Sequence, residues 1–123
     1  MKHVLVVDDS PTMRRMVIAS LRPLPDVECH EAGNGLEAIE HVSISPVDLM
    51  IVDLNMPDMH GLEVVQFVHR HSSFQAIPII VLTTRSDDDS RSAALGAGVS
   101  SYMTKPFEPR TLAKQAQALL NVD

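Results

Sequence analysis

The sequence predicts an α/β fold, a doubly wound five-stranded parallel sheet with five helices packed on its two faces. Three observations carry that prediction. Residues 3–7, 49–52 and 77–82 are short, mostly aliphatic runs, the pattern of strands covered on both faces. Segments whose apolar residues recur with helical spacing separate the strand segments, so helices and strands alternate along the chain. The connections are short, and crossovers between parallel strands are right-handed, which leaves few ways to lay the chain out.

In chain order, residues 3–7 form the first strand and end on Asp8 and Asp9. Ser10 is a good N-cap and Pro11 a good first helical residue. Met13, Met16, Val17, Ala19 and Leu21 supply the apolar stripe of the first helix, Arg14, Arg15 and Arg22 face out, and Pro23 and Pro25 end it. Residues 27–31 alternate apolar and polar, as a half-exposed edge strand does. After a Gly33-Asn34-Gly35 turn, a short helix with Leu36, Ile39 and Val42 inward runs to Ser45 and Pro46. The third strand, residues 49–52, stops on Asp53. Pro57 blocks further strand pairing and suits the first turn of a helix. Gly61 marks a close approach or a tight turn, and Leu62, Val64, Val65 and Val68 continue as a helix. The fourth strand, residues 77–82, ends in Thr83 and Thr84. Asp87, Asp88, Asp89 and Ser90 begin a helix with acids at its positive end, and Gly96-Ala97-Gly98 stops it. Residues 101–104 form the last strand, closed by Lys105 and Pro106. Pro109 opens a final helix through Leu112, Ala116, Leu119 and Leu120. The flavodoxin-like strand order 2-1-3-4-5, a known arrangement of such sheets rather than one the pattern deduces, puts the first and third strands side by side at the switch point.

Bulk properties narrow the function. The 123 residues form one domain, 1–123, with no repeat or internal linker. The formal net charge of −6 and the lack of a basic stripe argue against direct nucleic-acid binding. A single cysteine, Cys29, allows no internal disulfide and fits a reducing cytoplasm. No signal peptide is expected, and no apolar run approaches the roughly 20 residues that span a bilayer. Of the six histidines, His69 and His71 flank Arg70 at a cationic helix end, and no pair has the H-E-x-x-H spacing of a one-helix zinc site, so none is expected.

If the topology holds, Asp8, Asp9, Asp53, Thr83 and Lys105 all sit at carboxyl ends of strands and converge on one crevice. Alone, Lys105 reads as a surface lysine, Thr83 as a strand-end residue and Asp8-Asp9 as acids at a helix start. Asp53, after four apolar residues, has few structural excuses, because buried acids are rare unless paired. Three carboxylates together repel one another. A hard cation answers that repulsion: Mg²⁺ takes a few carboxylates plus waters and leaves room for phosphate oxygens. With one ammonium and one hydroxyl added, the set suits in-line phosphoryl transfer to a carboxylate.

These residues resemble a family. Asp8-Asp9 after the first strand, Asp53, Met56-Pro57 with Gly61, Thr83, and Lys105-Pro106-Phe107 are similar, in order and spacing, to the two-component response regulator receiver domain. The resemblance covers the whole chain. The segments 8–15 and 55–63 look most like the chemotaxis-type, single-domain (CheY-like) members. The resemblance implies that Asp53 is the phosphoacceptor, charged by a histidine kinase or a histidine phosphotransfer protein. It implies that Asp9, Asp53 and the main-chain carbonyl of Asn55 ligate Mg²⁺, with Asp8 acting mainly through water. Lys105 would pair with the phosphorylated or free carboxylate, and the Lys105-Pro106 bond would be cis. Thr83 would bond a phosphoryl oxygen, and Tyr102, in the switch aromatic position, would turn inward in the active state. Output would pass through the face made by the fourth helix, last strand and last helix, to a downstream protein, from a cytoplasmic monomer with no membrane contact. A stand-alone chain is preferred to an excised receiver. Two departures stand out. Asp87–89 and Gln115 lie where flagellar-motor-binding members have lysines, so a motor target is not implied. Thr84 and Arg85 replace small and often acidic residues beside the switch threonine, so the lifetime of the phosphorylated state is not carried over.

Three other functions are less well matched. A phosphatase with an aspartyl nucleophile needs a second acid two residues on, where this chain has Asn55. A P-loop enzyme needs G-x-x-x-x-G-K-[ST], which is absent. A constitutive interaction module would not need the intact set of Asp8, Asp9, Asp53, Thr83 and Lys105. The expected protein is therefore a phosphorylation switch with no chemistry beyond accepting and losing a phosphoryl group.

Overall fold

The computed structural model describes residues 1–121; the last two residues of the expected domain lie outside the described residues. Ten elements alternate: β1 (Lys2–Val7), α1 (Pro11–Leu21), β2 (Val27–Ala32), α2 (Gly35–Ile44), β3 (Leu49–Val52), α3 (Gly61–Arg70), β4 (Ile79–Thr83), α4 (Asp88–Gly96), β5 (Ser101–Thr104) and α5 (Pro109–Leu120). The sheet is parallel throughout, in the order β2-β1-β3-β4-β5. The strand order and the count of elements are as expected.

The aliphatic runs of β1, β3 and β4 bury both faces, and strand pleating sends their side chains alternately into two cores. Leu5, Val7, Met50, Val52 and Val81 join Ala38, Val42, Val64, Val65 and Val68 on the α2–α3 side. Val4, Val6, Leu49, Ile51, Ile80 and Leu82 join Val17, Leu21, Leu112 and Ala116 on the α1–α5 side. β2 is the half-exposed edge strand its alternation predicts.

Several expectations need correction. In α1, Met16 and Ala19 are exposed and Ile18 packs inward instead; the buried face is centred on Val17 and Leu21. Leu36 is exposed at the first turn of α2, where Ala38 takes the inward position. Pro57 lies in the loop before α3, not in its first turn. His60 caps that helix, its ring nitrogen accepting the Leu62 N–H at 3.2 Å. β4 begins after Pro78, which lacks the N–H a central strand needs but whose carbonyl accepts from Met50 N–H at 3.0 Å. Gly61 is a close approach: a Cβ there would lie 2.1 Å from the Asp53 carbonyl oxygen. Gly98, at φ +102°, turns the chain out of α4 with the His69 ring against it.

Candidate functional site

The carboxyl ends of β1, β3, β4 and β5 meet at one edge of the sheet. Parallel strands end there together, so residues far apart in sequence become neighbours. Asp8 follows β1, its N–H donating to the Ala32 carbonyl of the neighbouring strand at 3.1 Å. Asp53 follows β3, its N–H donating to the Val7 carbonyl at 3.0 Å. The two backbones are thus held by the ladders that precede them. Asp8 and Asp53 are buried, at 4% and 6% exposure, whereas Asp9 is exposed at the rim. Carboxylate oxygens of the three lie within 4.8 Å of one another.

Buried acids need a counter-charge or hydrogen bonds. Lys105, after β5, reaches across to supply the charge: its Nζ donates to Asp8 Oδ2 at 2.8 Å and lies 3.4 Å from Asp53 Oδ2. The Lys105-Pro106 bond is cis, as expected. Asp8 Oδ1 accepts the Ser10 N–H at 2.9 Å, and Asp53 Oδ1 accepts the Asn55 N–H at 3.2 Å. One ammonium among three carboxylates leaves the cluster with excess negative charge. An all-oxygen donor set of that charge, open on the Asp9 side, fits a hard divalent cation such as Mg²⁺.

Thr83 is fully buried at the end of β4, and its hydroxyl oxygen accepts the Arg85 N–H at 3.3 Å. The hydroxyl proton remains available to an acceptor in the crevice. The next residues close the rim: Arg85 Nε donates to Asn55 Oδ1 at 2.7 Å, and Asn55 Nδ2 donates to Thr84 Oγ1 at 3.2 Å. Tyr102 is already inward, at 8% exposure. Its hydroxyl donates to the Arg85 carbonyl at 2.7 Å, and the Arg91 guanidinium carbon sits 5.7 Å from its ring centre. Burial, then the nearby Asp87 charge, pushes the Tyr102 phenol up. The β4–α4 loop is therefore tied to the loop after Asp53 through Asn55 and to β5 through Tyr102.

The structure brings Asp8, Asp9, Asp53 and Lys105 together, sets Thr83 at the end of β4 and Tyr102 against the Arg85 carbonyl, and adds two residues. Arg14, expected to face out, lies back over the site edge, donating to the Asp8 carbonyl at 2.6 Å and to Glu31 Oε1 at 2.9 Å. Asp58 anchors the loop after Asp53 to the start of α2, accepting the Gly35 and Leu36 N–H groups at 3.2 Å each. Burial opposes ionisation of Asp58, but those backbone donors prevail and hold its carboxyl below the ordinary value. An acid beside Pro57 is the one sequence signal that could have marked such a loop anchor; nothing in the sequence pointed Arg14 at a carbonyl six residues back.

Residues 4–117 match the response regulator receiver domain family. The chain is 40% identical to chemotaxis protein CheY1 of Helicobacter pylori over 98% of both chains. It superposes on chemotaxis response regulator CheY4 of Vibrio cholerae with a TM-score of 0.87, at 35% identity over 97% of this chain and 98% of the other. It also superposes on response regulator TrrA of Thermotoga maritima, solved in complex with Mg²⁺-BeF, with a TM-score of 0.84 at 32% identity, over 97% and 99% of the two chains.

Proposed function

This chain belongs to the response regulator receiver domain family, and from that premise we infer that it is a phosphorylation-driven signalling switch with Asp53 as phosphoacceptor. The observation that carries the assignment is the placement of Lys105 Nζ against both buried carboxylates, Asp8 and Asp53, beside exposed Asp9. A structural ion pair needs one acid and one base. A surplus of acids around one lysine, at the carboxyl ends of parallel strands, is a device for managing added charge.

The donor is a phosphohistidine on a histidine kinase or a histidine phosphotransfer protein. An Asp53 carboxylate oxygen attacks phosphorus in line with the departing imidazole nitrogen. The P–O bond forms as the P–N bond breaks; the nitrogen keeps the electron pair and takes a proton from solvent. The Asp53 backbone is pinned to Val7, which orients the nucleophile. Asp8 and Asp9, with Asp53 and the Asn55 main-chain carbonyl, would hold Mg²⁺, which supplies positive charge to the phosphoryl oxygens when bound. Lys105 turns from its carboxylate contacts to a phosphoryl oxygen. The Thr83 hydroxyl donates to another. Hydrolysis reverses the charge change by attack of water on phosphorus, and Arg85, across the mouth on Asn55, meters that access.

The output is a shift between two states biased by the covalent charge. Thr83 draws its loop toward the phosphoryl group, and the Tyr102–Arg85 bond passes the movement to β5 and the α4–β5–α5 face. On that face Ser101 hydrogen-bonds Gln115, joining β5 to α5. A downstream protein reads the face, in a chemotaxis-type cytoplasmic pathway, and the chain acts as a monomer. Among the described residues no helix is long and apolar enough to cross a membrane. Turnover on outside substrates is not part of this reading. Asn55, in the place of a general acid, has its side chain committed to Arg85 and Thr84.

Intact-mass measurement after incubation with Mg²⁺ and a small-molecule phosphodonor tests the assignment. The expected result is a gain of one phosphoryl group, lost with EDTA and lost in Asp53→Asn. Undiminished labelling of Asp53→Asn removes Asp53 from the mechanism.

A further inference from the structure

At the far end of β1 from the phosphoacceptor, two strands bring three other metal-binding side chains together. We propose that His3, Glu28 and His30 form a second metal site, for a divalent ion of the zinc type rather than Mg²⁺. His3 and Glu28 are register partners across β1 and β2, and His30 is two residues further along, so all three project from one face of the edge of the sheet. His3 Nδ1 lies 3.1 Å from His30 Nε2 and 3.2 Å from Glu28 Oε2; His30 Nε2 lies 3.6 Å from the same oxygen.

Those edges are the dimensions of a tetrahedral face. Ligands held about 2.0–2.1 Å from zinc in a tetrahedron stand about 3.3 Å apart. A point about 2.0 Å from all three atoms, as zinc coordination asks, lies a little above the plane of this triangle. Two imidazole nitrogens and one carboxylate oxygen are a common three-ligand zinc set, with a fourth position left for water. Mg²⁺ prefers oxygen alone, so the donor types divide the two ions between the two ends of the sheet.

A hydrogen-bonded cluster accounts for the triangle less well. With one proton on each facing nitrogen, both histidines donate to Glu28, and two N–H groups then confront each other at 3.1 Å. With a single proton, at least one nitrogen lone pair faces the Glu28 oxygen. Protons thus satisfy at most two edges, whereas one cation satisfies three. The site is also held in place. The His3 N–H donates to Asp48 Oδ2 at 2.7 Å, and the His3 carbonyl accepts the Asp48 N–H at 2.7 Å. The His30 ring stacks on His3 and meets His41 at a tilt, with ring centres 5.3 and 5.1 Å away. Beside it, buried His41 Nε2 has no hydrogen-bond partner among the described residues. It is a polar atom at the cluster that the protein alone leaves unmatched.

The test is a competition titration of the full chain with Zn²⁺ against a chelating indicator, in excess Mg²⁺ to fill the carboxylate cluster. The expected result is one zinc per chain, with affinity falling at least about tenfold in His3→Gln and in His30→Gln, since even outer-shell partners are worth that much. Both rings are partly solvent-exposed, so Gln is tolerated, and circular dichroism checks the fold. A second readout uses the unmutated protein: Zn²⁺ should shift the ring resonances of His3 and His30 and leave those of His60 and His71 in place. Equal affinity in the variants, shifts confined to other residues, or no zinc uptake in excess Mg²⁺ each overturns the site.

Discussion

Gly61→Ala is the most demanding perturbation of the loop that carries the proposed phosphoacceptor. The three atoms nearest the new Cβ are all backbone: Asp53 O at 2.1 Å, Leu54 Cα at 2.7 Å and Asp53 C at 2.8 Å. Real contacts of this kind essentially never fall below 3.0 Å, so the oxygen must retreat by 3.0 − 2.1 = 0.9 Å. No flexible side chain can yield; either the Asp53–Leu54 backbone moves or the start of α3 does, and the Gly61 N–H bond to the Leu54 carbonyl ties one to the other. Overpacking of a close-packed site costs about 1–3 kcal/mol, and the upper end applies where only backbone can give way. Alanine returns at most about 1 kcal/mol of helix propensity. The net expectation is a loss of about 2 kcal/mol, or a Tm lower by roughly 8 °C for a chain of this size. Because Asp53 itself is displaced, phosphorylation should slow as well, toward the roughly hundredfold that an ångström of misplacement can cost. Thermal denaturation and the rate of mass gain with a phosphodonor measure the two effects. Gly96→Ala is the control: nothing lies within 4 Å of its Cβ, and α4 should gain about 0.4–1 kcal/mol. A Gly61→Ala protein as stable as the parent and phosphorylated at the same rate would refute the steric argument.

Other expectations follow from particular contacts. Lys105→Ala leaves Asp8 and Asp53 facing each other without a cation, which should cost about 3 kcal/mol in metal-free buffer. Mg²⁺ should raise its Tm by more than that of the parent while partner affinity stops responding to phosphorylation; a variant that Mg²⁺ no longer stabilises, or whose partner affinity still responds, counts against this. Asp87 caps α4, and the Ser90 N–H and hydroxyl bonded to its carboxylate hold that group below its ordinary value. A carboxyl depressed in the folded state stabilises above its unfolded pKa and stops doing so as pH falls through the folded one. Protection of the Ser90 amide from hydrogen exchange should therefore fade under acid and be lost at neutral pH in Asp87→Ala; unchanged protection would dismiss the cap. Burial, and then the Glu31 charge, pushes the Cys29 thiol up. Alkylation at mildly alkaline pH should be slow until urea unfolds the chain, and a rate equal to that of a free thiol would contradict it.

The sequence alone determined the alternation of elements and the buried character of β1, β3 and β4, and it pointed to the candidate crevice around Asp53. Each rests on local information. A two-faced strand reads as an aliphatic run, and a carboxylate ending such a run is too costly to be incidental. Where burial depends on which neighbour a side chain meets, the sequence was less decisive. Met16 and Leu36 fit their helical stripes, yet both stand exposed, and Ile18 and Ala38 take the contacts. Arg14 is polar and periodic with a solvent face, but its length lets it reach the Asp8 carbonyl across a turn. Only the tertiary structure decided that Lys105 bonds Asp8 more closely than Asp53, and that Arg85 closes the rim while holding Tyr102 inward. It alone set His3 beside Glu28 and His30. The physical reason is that strand register and crossover geometry, which no local pattern encodes, bring together residues that the chain keeps far apart.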